Sequence, residues 1–351
     1  MTVALNINRQ VHVGWSQATV TRSLETVAGT FSVTLSERDP GETQPRVIRP
    51  GDTCIVALDD ETVISGYVDT ISVDYSAGDH TLGVRGRDAT GQLVDCSAAT
   101  MPGEWHEETL ENIATALCEP FDIPVTLDAD QGERFTRFRI EEGETAFEAI
   151  ERACRFRAVL PLSDGKGGLV LGGPNRSRAT VRLEHGVNIL SASGSSSWLA
   201  RYSEYKLLGQ QAGNDFTFGE QAAHVSATAM DPGITRYRPL TIIGERTVNP
   251  DEAQARVTWE SNVRAARGRT ARVSLQGWRE TPDGPLWAPG RLVRLTDAWL
   301  GIDEELLVSQ VSQSLSANGT ITELDLVPED AFLQRQEPQE TATDNQSGWW
   351  S

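Results

Sequence analysis

Phe31-Ser-Val-Thr-Leu35 returns 240 residues later as Ala271-Arg-Val-Ser-Leu275 (271 − 31 = 240). Each stretch alternates apolar and polar side chains, the pattern of a strand with one buried face. Other matches keep the same order. Pro50-Gly51 returns as Pro289-Gly290, each pair ahead of an apolar strand. Ile71-Ser72 with Tyr75-Ser-Ala77 returns as Val311-Ser312 with Leu315-Ser-Ala317, again 240 residues on (311 − 71 = 240). Both copies then turn, at Gly78-Asp79 and at Asn318-Gly319, and both come back through an alternating strand. Both also reach an Asp-Ala pair, Asp88-Ala89 and Asp330-Ala331. Repetition at nearly one offset points to a duplicated β-domain rather than to the general likeness of antiparallel proteins.

Within the first copy, Cys54-Ile-Val-Ala-Leu58, Val63-Ile64, Tyr67-Val68, Ile71-Ser-Val73 and Thr81-Leu-Gly-Val-Arg85 read as a β-meander with tight turns. The texture changes at Pro102. Over Glu107–Cys118 the residues Leu110, Ile113, Ala114 and Leu117 share a helical face, and Pro120 stops the helix. A second helix is expected over Thr145–Arg155, followed by a hairpin from Val159-Leu-Pro-Leu162 to Leu169-Val-Leu171. Strand texture resumes near Thr180. One more helix has Asn249 as cap, Pro250 in its first position and Glu252 completing a capping box, and Gly268 ends it. From about Gln334 the chain is polar and acidic apart from Trp349-Trp350, the composition of a flexible tail. The expected fold is mainly β with α+β insertions. A first β-domain spans 1–97 and a small α+β domain 98–178. A second β-domain is discontinuous, 179–232 with 268–332, around a helical insertion at 233–267, and 333–351 is the tail.

The 351 residues carry a net charge of −19, and only two of the basic residues are lysines, Lys166 and Lys206. A phosphate grip needs clustered cations, so this acidic chain is a poor nucleic-acid binder. Met1–Trp15 lacks the basic start and apolar run of a signal peptide, and no apolar stretch reaches 18 residues. The expectation is a chain that folds in a cytoplasm without membrane insertion. Cys54, Cys96, Cys118 and Cys154 match no zinc or redox spacing and read as small apolar residues.

Catalytic chemistry finds no foothold. Gly165-Lys-Gly-Gly168 has neither the spacing nor the following helix of a phosphate loop, and reads as a hairpin turn. His12, His80, His106, His185 and His224 are scattered, Gly194-Ser-Ser-Ser-Trp198 is no nucleophile elbow, and Glu107-Glu108 and Glu141-Glu142 are ordinary helix-start acids. No catalytic residue, cofactor or metal is assigned, and no hydrolase activity is expected. The residues singled out for assembly are Arg87 and Asp88, as an inter-subunit charge pair or a local turn lock, and Trp278 and Trp287, as core or as partner anchors.

Gly66-Tyr-Val68, Gly86-Arg-Asp-Ala-Thr-Gly91 and Leu93-Val-Asp-Cys-Ser97 resemble the first domain of Mu-like phage baseplate hub proteins. Gly277-Trp278-Arg279, Leu286-Trp-Ala-Pro-Gly290, Leu300-Gly-Ile302, Leu326-Val-Pro328 and Asp330-Ala-Phe332 resemble the last. The resemblance implies two barrel-like tube-type β-domains per chain and a LysM-like α+β unit. It implies a homotrimer whose six similar domains form a ring joining a sixfold tail tube to a threefold spike. Tail tube, spike and baseplate wedge proteins are then the partners, DNA is a passing cargo, and the location is the virion tail baseplate after assembly in the host cytoplasm. A tail-associated protein that binds or degrades peptidoglycan is the alternative, motivated by the LysM-like stretch.

Overall fold

The computed structural model describes residues 2–8, 10–36, 48–76, 80–99, 103–210, 224–247 and 250–334. The Asn249 cap, the Glu252 side chain, the Gly78-Asp79 turn and the tail from 335 lie outside them.

The first β-unit has seven strands: β1 Val3–Ile7, β2 Gln10–His12, β3 Gln17–Ser23, β4 Thr30–Ser36, β5 Thr53–Leu58, β6 Glu61–Tyr75 and β7 His80–Asp88. Their order is β3-β4-β7-β6-β5-β1-β2, antiparallel throughout. The pieces read separately at Val63, Tyr67 and Ile71 are one 15-residue strand, β6. A register shift between Val68 and Thr70 interrupts its alternation and bends it. Its first half pairs with β5 and its second with β7.

After the short α1 (Gly91–Asp95) comes the α+β unit: β8 Glu104–Glu108, α2 Leu110–Cys118, β9 Val125–Asp128, β10 Phe135–Arg139, α3 Ala146–Arg155, β11 Leu160–Ser163 and β12 Leu169–Gly172. The Thr109 hydroxyl caps α2, and α3 begins in a complete capping box of Thr145 and Glu148. Leu110, Ile113, Leu117, Ala149 and Ile150 are buried, as their spacing required. The β11–β12 turn is the Gly165–Gly168 stretch. The Asp164 carboxylate accepts from the backbone N–H groups of Lys166 and Gly168, and Gly165 and Gly167 take positive φ.

The second β-unit has β13 Leu183–Glu184 and β14 Ser191–Ser196. A third small unit follows: β15 Glu204–Gln210, β16 His224–Met230 and β17 Pro239–Thr247 form their own sheet, and α4, Pro250–Arg267, packs across it. Strands β15 and β16 belong not to the second β-unit, as expected for 179–232, but under α4, because Tyr205, Leu207, Val225 and Ala227 face Ala253 and Val257. Under that unit, Arg201 and Asp231 form a buried bidentate ion pair, 2.9 Å at both contacts. The second β-unit resumes with β18 Arg269–Gln276, β19 Leu292–Asp297, β20 Ile302–Ser316 and β21 Gly319–Val327.

The two β-units are built alike. Strands β14-β18-β21-β20-β19-β13 repeat the order β3-β4-β7-β6-β5-β1. β6 and β20 both have 15 residues, and β7 and β21 both have nine. Where the copies differ in sequence they compensate in volume. In the first, Phe31 faces Gly86; in the second, Ala271 faces Leu326. A Cβ on Gly86 would meet the Phe31 ring at 2.6 Å and the Tyr67 carbonyl at 2.1 Å, so glycine is required there. Among the described residues the Asp-Ala match does not carry over. Asp88 ends β7, whereas Asp330 stands past β21 in a 3₁₀ turn.

The two units are not separate barrels. Both belong to one 13-stranded sheet, joined where β20 pairs with β3. Each keeps a core of its own, and among the described residues the sheet stays open. The expectation of a mainly β chain with α+β additions stands; among the described residues no barrel closes within one chain.

Candidate assembly interface

The joint between the β-units is made by residues 310–315 of β20 and residues 18–23 of β3, in antiparallel register from Gln310↔Ser23 to Leu315↔Ala18. Behind it, on the core side, lies the connection from β18 to β19. Trp278 is fully buried there, within the core of the first unit, and its indole N–H donates to the Ser314 carbonyl at 3.0 Å. The Gln313 amide donates to the Trp278 and Trp287 carbonyls. Arg22 reaches across from β3 and donates to the Trp287 carbonyl (2.9 Å) and to Gln313 Oε1 (3.2 Å). Burial pulls the Arg22 pKa down to about 10, so the guanidinium stays charged at neutral pH. Both tryptophans are therefore core residues of the chain, and Trp287 packs in the second unit.

The same positions in the first copy look different. By the 240-residue offset, Val73 and Tyr75 of β6 are the counterparts of Gln313 and Leu315. Gln313 is buried and Leu315 packs against the first unit's core. Val73 is 64% exposed and Tyr75 79%. Among the described residues no strand pairs with residues 70–74 on the side away from β7. A complementary edge is open at the other end of the sheet. β14, the counterpart of β3, pairs only with β18, and all six of its residues are exposed. Beside it, the β19–β20 turn lays Leu300 over Gly194, while the adjacent Trp299 is 85% exposed. Sequence reasoning missed these residues. Val73, Tyr75 and Trp299 look like ordinary core positions when only alternation is read.

Arg87 and Asp88 act locally. Arg87 on β7 holds Asp69 at 2.8 Å and Asp95 at 2.5 Å, and these hydrogen bonds raise its pKa and depress that of Asp95. These exposed pairs contribute little on their own. Asp88 is buried. Its carboxylate accepts from Gly29 N–H, from Thr90 N–H and hydroxyl, and from the Ser163 hydroxyl on β11, which ties the end of β7 to the α+β unit. Desolvation is the largest influence and pushes its pKa above the ordinary 3.8, against those four donors. Asp88→Ala strands the four donors, and a loss of about 2–3 kcal/mol is expected. A raised folded-state pKa means the folded chain holds this proton more tightly. The Asp88 contribution therefore falls as pH rises from 3.8 through the folded value. Urea unfolding at stepped pH should show the wild-type advantage over Asp88→Ala shrinking upward through that window. An advantage that grows with pH would contradict the assignment.

Other candidates are accounted for as structure. Cys54, Cys118 and Cys154 are buried free thiols, and burial pushes Cys54 and Cys118 up to about 12. Of the aromatic residues in 98–178, Phe135 and Phe138 are core, and Trp105, Phe121, Phe147 and Phe156 pack against it. No group of three or more metal-ligating side chains exists among the described residues.

Comparison with known proteins matches four stretches of the chain to family models. Residues 2–88 match the family described as Mu phage baseplate assembly protein GpP-like, N-terminal, and 90–173 match the second domain of baseplate hub protein gp44-like. Residues 201–258 match the third domain of tail protein NMB1110-like, and 249–335 the fourth domain of Mu phage baseplate assembly protein GpP. The chain is 34% identical over 341 residues to baseplate hub protein gp44 of Escherichia phage Mu, covering 95% of this chain and 89% of that one. Its structure is similar to the 43 kDa tail protein of prophage MuSo2 from Shewanella oneidensis: TM-score 0.86, 32% identity, 95% of this chain and 100% of that one. It is also similar to a tail protein from Neisseria meningitidis MC58, with TM-score 0.79, 25% identity, and 96% and 99% covered.

Proposed function

The chain belongs to the Mu phage baseplate hub protein family and is a baseplate hub component of a phage tail, and from that premise we propose that three copies close into a ring by repeating, between chains, the joint each chain already makes within itself. The tail is of the contractile type, and the hub joins its sixfold tube to the central threefold spike, with the wedge proteins around it. The role is structural rather than catalytic.

One observation carries this reading. The β20 edge is covered by β3, while the equivalent β6 edge, with Val73 and Tyr75, is exposed, and so is β14, the equivalent of β3. An open edge is a template for pairing with another chain. Setting β14 of one chain on residues 70–74 of the next satisfies both edges. It buries Val73 and Tyr75 near Leu300 and Trp299, in the same relation as Leu315 to the first unit's core. The contact is head to tail, and such contacts form a ring when the rotation closes. Two units per chain and three chains give six near-equivalent positions, so a threefold object presents a nearly sixfold face. Each contact should bury on the order of 2,000 Å² or more, as obligate interfaces do.

Native mass measurement of the purified chain tests the proposal. A species of three chains is expected. A stable dimer or tetramer, or a monomer at every accessible concentration, would refute the ring.

A further inference from the structure

The two β-units end their first strands, β3 and β14, in different side chains. Val33 and Val273 are equivalent (273 − 33 = 240) and pair with Ala18 and Ala192. Counting on from these alanines puts Trp198 in the place of Leu24. The turns that follow agree. The Ser23 hydroxyl accepts from Glu25 N–H at 3.0 Å, and the Ser197 hydroxyl accepts from Leu199 N–H at 3.1 Å. The same serine turn closes both strands, so the correspondence extends beyond them.

Leu24 has a seat. Its N–H donates at 2.8 Å to the carbonyl of Ser309, where β20 breaks register. Its side chain packs on a cluster that contains Leu292, Leu307, Val327 and Phe332. Trp198 has no such seat within its own chain. It is half-buried, belongs to no core cluster among the described residues, and its ring lies 5.9 Å from the Arg236 guanidinium.

The equivalent seat on the first β-unit is open. β6 breaks register at Asp69, the counterpart of Ser309 (309 − 69 = 240). The pairs Leu292↔Leu307 and Leu307↔Val327 correspond to Thr53↔Tyr67 and Tyr67↔Arg87. Where Phe332 covers the seat of the second unit, the first has a cleft of about 600 Å³. Thr53 and Tyr67 line it from the β-unit, and Phe121 and Pro124 line it from the α+β unit.

We infer that Trp198 anchors the contact between chains by seating in this cleft of the next chain. The inference rests on the ring proposed above and names the side chain and the cavity that fix its contact. With β14 set on β6 as β3 is set on β20, Trp198 N–H meets the Asp69 carbonyl of the next chain, and the indole lies over Tyr67. Tyr67, Phe121 and Pro124 offer it an apolar and aromatic surface, and Arg87 at the rim offers a cation to the ring face. Buried tryptophans of this kind carry a large share of binding energy. The Leu24 seat is already filled, and Leu307 within it is fully buried. The larger side chain therefore fits only the open seat, which keeps the joint between chains distinct from the joint inside them.

Native mass measurement over a concentration series tests the anchor. A tryptophan that carries a contact is worth at least about thirtyfold in it. With three contacts per ring, Trp198→Ala should raise the concentration of half-dissociation about a hundredfold or more. Trp198→Phe, which keeps a ring, should lose less. Both variants should keep the urea midpoint of the dilute chain, whereas Leu24→Ala, the equivalent change inside the chain, should lower it. An unchanged concentration of half-dissociation in Trp198→Ala, or a loss confined to its urea midpoint, would overturn the anchor and leave the ring intact. Benzoylphenylalanine in place of Trp198 gives a second readout. On illumination the trimer should yield a two-chain adduct, with the cross-link at Tyr67 or Phe121. Cross-links confined to the same chain, at the Arg236 loop, would overturn the inference. If native mass shows no wild-type trimer, the ring reading has failed and the anchor falls with it.

Discussion

Val73→Glu with Tyr75→Glu should leave the single chain folded and abolish the trimer. Both side chains are largely exposed within the chain, so monomer stability should change by no more than about 0.5 kcal/mol. In the ring each would be buried at every one of three contacts. Full burial of such a side chain stabilises by about 1.5–3 kcal/mol, and a buried carboxylate without a partner adds a larger penalty. Removing this at all three contacts should raise the dissociation midpoint by well over a thousandfold. The control is Gln313→Glu with Leu315→Glu, the equivalent change at the joint inside the chain. There the same chemistry should damage folding rather than assembly. A trimer that persists in the Val73→Glu, Tyr75→Glu variant at wild-type concentrations would show that this edge does not carry the contact.

Trp278→Ala should be the most damaging single change to the folded chain. The side chain is fully buried, donates to the Ser314 carbonyl and fills the core of the other β-unit. Large-to-small changes of this kind cost about 3–5 kcal/mol, and the Ser314 carbonyl loses its indole donor. The first β-unit should unfold at clearly lower urea, read by hydrogen exchange of β3 and β4. Trp299→Ala is the contrast, because Trp299 is exposed and should leave monomer stability unchanged. A loss under about 1 kcal/mol for Trp278→Ala would mean that the connection merely rests on the joint.

The duplication was legible because its signal is local. Alternation in Phe31–Leu35 and Ala271–Leu275, with turns at fixed distances, encodes strands and their order. The helices were equally legible from the spacing of Leu110, Ile113 and Leu117 and from the Thr145–Glu148 cap. What escaped was non-local. Nothing in the side chains of β3 announces that its backbone edge meets β20 rather than another chain. The bulge at Asp69 broke β6 into apparent fragments, since one extra residue reverses which side chains face the core. The Asp330-Ala331 match was misleading for the opposite reason: two residues agreed in type without agreeing in place. Arg87, Asp88, Trp278 and Trp287 stood out in sequence for their chemistry, and all four are engaged inside the chain. The exposed positions, Val73, Tyr75 and Trp299, carry no chemistry beyond being apolar, and only the accessible surface of the folded chain distinguishes them from core.

The β20–β3 joint also sets the molecularity of assembly. Six free units would have to meet, and the yield of closed rings would follow the sixth power of their concentration. In the proposed ring half of the joints would be preformed by covalent connectivity, each partner held against the other at a high effective concentration. The yield would then follow only the third power. Such a part could assemble while scarce, and incomplete rings would have only one intermediate size, two chains, in which to accumulate.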